Sequence, residues 1–100
     1  MRFLPLAAAI ADSLPPRYAA LGDQLRRASL SIPLNVAEGS GKSTGPDQRR
    51  FYAMARGSAM EWAAILGACG AWALIEDARP EEVDQLLLST VRMLSKMCRL

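Results

Sequence analysis

The sequence predicts an all-α protein, an antiparallel up-down-up-down four-helix bundle built as a single domain over residues 1–100. Three observations carry that expectation. Apolar residues recur three and four apart in four separate stretches. No stretch sustains the period-two alternation of a half-buried strand. Prolines and glycines fall between the stretches, where helices have to stop.

The first element has Phe3, Leu6, Ala7, Ile10 and Leu14 at helical spacing and ends at Ser13-Leu14-Pro15-Pro16. Paired prolines lack the amide donors a helix needs to continue. The opening Met1-Arg2, followed by the apolar run from Phe3 to Ala11, also has the outline of a short export signal. Its amphipathic spacing favours a structural helix. The second element runs from about Arg17 to Glu38, with Tyr18, Leu21, Leu25, Ala28, Ile32 and Val36 along one stripe. Pro33 lies inside it and removes one donor, so a bend is expected there, with Ser31 and Asn35 beside it to satisfy freed groups. Gly39-Ser40-Gly41 then supplies permissive backbone for a helix end and turn.

A third helix should begin near Thr44, with Asp47 three residues on in capping-box fashion and Pro46 tolerated in the first turn. Phe51, Met54, Ser58, Trp62, Ile65, Leu66, Cys69 and Trp72 form its inward set. The fourth starts at Pro80-Glu81-Glu82, with acids at the positive end of the helix dipole, and carries the stripe Val83, Leu87, Val91, Leu94 and Cys98.

Composition bounds the chemistry. The chain is 51% apolar with a formal charge of +2, too apolar for a disordered tail. It has no His, so the usual neutral-pH general base is missing, and two Cys cannot make a four-ligand zinc site. These counts point to a protein that is not an enzyme, with no cofactor and no metal. No apolar run reaches the roughly 18 residues of a membrane span, so no membrane partner is expected.

From Trp62 to Ile75 no side chain is charged. An outer helix of a small bundle should show a polar stripe to water. A stretch apolar all round needs a second apolar surface, and sister copies are the economical source. Ala63, Gly67, Gly70 and Ala71 are small enough for close helix approach, and Met60, Leu30 and Leu34 extend the expected homo-oligomer contact.

Charge is sorted along the chain. Residues 17–56 hold seven cations against Asp23, Glu38 and Asp47, whereas residues 76–84 hold five acids against Arg79. In an up-down bundle the loop after helix two and the end of helix four share a pole. That pole collects Lys42, Arg49, Arg50, Arg92, Lys96 and Arg99. Arg49 and Arg50 sit near a helix start, where the dipole disfavours cations, and so need another reason.

Three motifs yield to plainer readings. Gly39-Ser40-Gly41-Lys42-Ser43-Thr44 resembles a phosphate loop, but Val36 stands where its first glycine belongs and a helix precedes it, so an interhelical turn is expected. Counted from the turn near Ala78, Cys69 and Cys98 should lie roughly 16 Å apart along the bundle, beyond disulfide reach. Reduced core cysteines suit the cytoplasm. Glu38 and Glu61 are the carboxylates expected to be partly buried. A hydrolytic or metal role is the sharper reading, and a structural polar cluster with Asn35 and Ser58 the plainer one.

The run Gln24-Leu25-Arg26-Arg27-Ala28-Ser29-Leu30-Ser31-Ile32-Pro33-Leu34-Asn35-Val36-Ala37-Glu38-Gly39 resembles the signature of bacterial four-helix-bundle proteins encoded in 23S ribosomal RNA intervening sequences. Phe51, Ala55, Gly57-Ser58 and Glu61 match that family's second block, and Met93-Leu94 to Leu100 resembles its last helix. The resemblance implies an antiparallel four-helix bundle and rings of five subunits. It also extends to accessory proteins of diversity-generating retroelements, which bind nucleic acid and a reverse transcriptase.

The combined expectation is a cytoplasmic, non-enzymatic homo-oligomer, pentameric by the resemblance, that offers a basic surface to RNA or DNA. Arg26, Arg27, Lys42, Arg49, Arg50 and Arg56 are the candidate phosphate contacts. Two alternatives stand beside it. One is a scaffold docking a partner protein without nucleic acid, and the other a hydrolase using Glu38 and Glu61.

Overall fold

Paired prolines decide where the first helix ends. The computed structural model describes residues 3–72, 74 and 81–99, the side chains of Phe3, Glu81 and Glu82 excepted. Helix α1 (Phe3–Ser13) stops at the prolines, and Pro16–Tyr18 forms one 3₁₀ turn. Helices α2 (Ala19–Ser40), α3 (Gly45–Ala71) and α4 (Glu81–Cys98) follow. The second helix therefore starts after Arg17, because Pro16 supports only a tight turn, with Tyr18 N–H donating to the Pro15 carbonyl at 2.8 Å.

The helices pack in chain order: α1 on α2, α2 on α3, α3 on α4. Cross-helix contacts fix the antiparallel register. Ala11 faces Gly22, Ser31 meets Ser58, Gly39 lies against Tyr52, and Arg56 reaches Ser95. Among the described residues no Cα of α1 comes within 8 Å of α3 or α4. Side chains complete the core instead: Ala7 of α1 belongs to the same cluster as Leu25, Ala28, Ile32, Trp62, Leu66, Cys69, Val83 and Leu87. The result is a four-helix bundle measuring 44 × 24 × 18 Å.

The bounds of the second helix shift by two residues at each end. Helix α2 runs through Pro33 to Ser40, past the anticipated end at Glu38. The Asn35 side chain donates to the Ser31 carbonyl and hydroxyl, each at 2.9 Å, stitching the turn around the proline. Gly41 caps α2 with φ −86°, so no left-handed backbone is used. Glycine matters instead at position 39, where a Cβ would lie 2.6 Å from Tyr52 Cε1. The third helix begins where expected: the Thr44 hydroxyl accepts from Asp47 N–H at 3.3 Å.

Two residues assigned to the core stripe of the third helix are exposed. Met54 sits at the outer edge of that stripe, and Trp72 follows the last residue of α3. Cys69 is buried and Cys98 half-buried, both as free thiols. Burial pushes the Cys69 thiol above its ordinary pKa, since a thiolate there would lose water. The acidic stretch Glu76–Asp77 with Arg79, the proposed helix start at Pro80, and the end of the uncharged run at Ala73 and Ile75 lie outside the described residues.

Candidate nucleic-acid interface

The basic pole is built where α2 ends, α3 begins and α4 finishes. Thr44 caps α3, and the Gln48 amide donates back to the Lys42 carbonyl at 3.1 Å, pinning the turn between the two helices. The pinned turn sets Lys42 beside the first turns of α3. Phe51 carries two cations, Lys42 Nζ at 5.0 Å and the Arg50 guanidinium at 4.9 Å from its ring centre. Such cation–π contacts hold charge at a surface without neutralising it. Lys42 also pairs with Glu38 at 3.4 Å. The Arg49 guanidinium folds back over the start of α3, so close that a Cβ on Gly45 would lie 2.8 Å from its Nη1.

Arg56 lies two helical turns beyond Arg49 on the same stripe of α3, and its Nη1 donates to Ser95 Oγ of α4 at 3.4 Å. That bond ties the last two turns of α4, with exposed Arg92, Lys96 and Arg99, to the basic side of α3. The other two candidates stand apart. Arg26 is ion-paired with Asp12 of α1 and Asp23 of its own helix. Arg27 is exposed nearby. At 1.5 Å per residue, Arg26 lies about 24 Å along α2 from Lys42. The six residues thus form a pole of three, a neighbour at Arg56, and a distant pair.

The expected polar cluster is brought together only in half. Asn35 and Ser58 meet on Ser31, whose hydroxyl accepts from both at 2.9 and 2.8 Å. Glu38 and Glu61 are exposed, each carboxylate turned out from the seam where burial had been expected. Lys42, rather than Asn35, is the partner of Glu38. The role of Phe51 as a cation platform was missed because its spacing reads as core. The adjoining Arg50 was the available signal.

Uncharged surface is bare on two helices. Leu30 and Leu34 of α2 are 47% and 56% exposed, and Met60 of α3 is 57% exposed. Gly67 and Gly70 have nothing within 4 Å of where a Cβ would stand, and Ala71 is exposed while Ala63 is half-buried. Beside α2's last turns, Leu34, Ala37, Glu38, Gly41 and Lys42 line a hollow of about 510 Å³.

The model for the 23S rRNA-intervening sequence protein family matches residues 6–96. The chain belongs to that family. The match opens inside α1 and closes near the end of α4, so it covers nearly all of the bundle, including Lys42, Arg49, Arg50 and both bare surfaces. No curated protein matches the chain. Among the described residues of this family member, no helix is long and apolar enough to cross a membrane. No group of three or more His, Cys, Asp or Glu is positioned there to hold a metal ion.

Proposed function

We propose that this chain is a non-enzymatic bundle that assembles with copies of itself and presents a cationic pole to RNA or DNA. One observation carries the reading. Lys42, Arg49, Arg50 and Arg56 gather at one end, joined by Arg92, Lys96 and Arg99, while the neighbouring acids are Glu38 and Asp47. Cations gathered this closely repel one another. A polyanion compensates that cost, releasing counterions as it binds.

Assembly rests on the bare, uncharged surface of Leu30, Leu34 and Met60, with the open small-residue positions Gly67 and Gly70. Five copies in a ring is the arrangement the family resemblance suggests, and it would repeat the cationic pole around one rim.

Binding of a labelled RNA or DNA, followed by anisotropy across a salt series, tests the reading. Affinity should fall steeply with salt, and R49A/R50A should lower the log–log slope by about 2. A flat salt response rejects it. Light scattering should return five times the 10.8 kDa of one chain, and Gly67→Glu should reduce it to that of one chain. The same bare leucines also favour a second reading, a scaffold that docks a partner protein. A partner retained after nuclease digestion supports the scaffold. The exposure of Glu38 and Glu61 weighs against hydrolysis, which calls for a desolvated acid.

A further inference from the structure

The α4 side of the pole holds a cationic hollow of its own. Val91, Arg92, Met93, Ser95, Lys96 and Arg99 line an open, shallow space of about 670 Å³ along a single stretch of chain. Arg92 and Lys96 stand at i and i+4 on one face of α4, and Arg99 follows in the turn after its last residue, its Nε donating to the Ser95 carbonyl at 3.2 Å. Arg92 and Lys96 are ion-paired to no other described residue, and no carboxylate lines the space. Arg56 of α3 is anchored alongside by its bond to Ser95.

Dipole complementation explains only part of this. It favours cations in the last turn of a helix, which suits Lys96 and Arg99. Arg92 lies six residues before the end of α4 at Cys98, outside the reach of that effect. The lining is also mixed in a telling way. Val91 and the half-exposed Met93 put apolar surface inside the cationic rim. A duplex presents phosphates but hides its base faces, whereas an unpaired strand offers phosphates and apolar base faces together.

We propose that this α4 hollow is the seat of a single strand of nucleic acid, with Arg92, Lys96 and Arg99 on successive phosphates and Val91 and Met93 against the bases. It rests on the nucleic-acid reading above and adds to it a particular face of the pole and a strand preference.

The test compares the full wild-type chain with R92A/K96A/R99A and with R49A/R50A. The probes are a labelled oligouridylate and an RNA duplex of equal length, at low and moderate salt. Wild type should bind the single strand more tightly. The α4 variant should lose about tenfold or more of that affinity, and about 2 in salt slope, at roughly 0.7 per phosphate. Its duplex binding should change less than threefold. The charge-preserving R92K/K96R/R99K should retain binding, and circular dichroism of all variants should match wild type, since the three side chains are exposed. Unchanged single-strand binding in the α4 variant, with loss in R49A/R50A, overturns this site and leaves the pole standing. Equal loss on both probes overturns the strand preference. No binding by wild type overturns both.

Discussion

The two halves of α2 have similar apolar content but different fates. In the first half, α1 lies alongside: Ala11 approaches Gly22 so closely that a Cβ there would sit 3.2 Å from the alanine's, and Asp12 pairs with Arg26. Gly22, Leu25, Ala28 and Ser29 are buried. In the second half Leu34 and Ala37 are exposed, and the helix is held from the α3 side, where Gly39 meets Tyr52 and Gln48. The cause is length. An α1 of 11 residues spans about 16 Å, and an α2 of 22 spans about 33 Å, so one neighbour ends halfway. Burial follows the supply of neighbours as much as it follows hydrophobicity.

Truncating the core should give the largest effects. Trp62→Ala, in a fully buried position, should cost about 3–5 kcal/mol in urea unfolding, and Leu25→Ala about 2–5 kcal/mol. Leu34→Ala, in the uncovered half, should stay within about 0.5 kcal/mol for a single chain. A loss at Leu34 that grows with protein concentration would mean that a sister copy covers it. Next comes Gly39→Ala, whose new methyl collides with the Tyr52 ring and the Gln48 carbonyl. It should cost about 1–3 kcal/mol, as overpacking does. Gly67→Ala, with open space around it, should instead gain about 0.5–1 kcal/mol of helix propensity.

Asp12→Ala removes an exposed ion pair between α1 and α2 and should cost under about 1 kcal/mol, fading with added salt. The smallest effect is in pH. The Cys69 thiol titrates higher in the folded chain than in the unfolded one, so the folded state holds the proton longer. Its contribution is complete below the unfolded thiol pKa and declines as pH rises above it. Thermal melts should show a shallow fall on the alkaline side that Cys69→Ser abolishes, while thiol-reactive dye should modify half-buried Cys98 before Cys69.

Helix order, the turn at Pro15-Pro16, the Thr44 cap and the core from Leu25 to Leu94 were legible in the sequence, because spacing and capping chemistry are local. Charge counting likewise anticipated cations at one pole. The fates of Glu38, Glu61 and Met54 were not legible. Each lies near the edge of an apolar stripe, and a few tens of degrees of helix rotation decide between seam and solvent. Local sequence makes Gly39 a turn glycine, since nothing in its neighbourhood names Tyr52, thirteen residues away, as the ring that needs the space. The split of Arg26 and Arg27 from the other cations required the length of α2 in ångströms.

The clasp of α1 has one further consequence. Among the described residues this segment touches a single neighbouring helix at the backbone level, and the stiff Pro15-Pro16 linker prevents it from merging into that helix. Cooperative unfolding units follow such boundaries. Amide protons in α1 should therefore exchange with deuterium well before those of α3. Its departure would uncover Leu25 and Ala28 while the rest stays folded, giving this small molecule two rungs of stability instead of one.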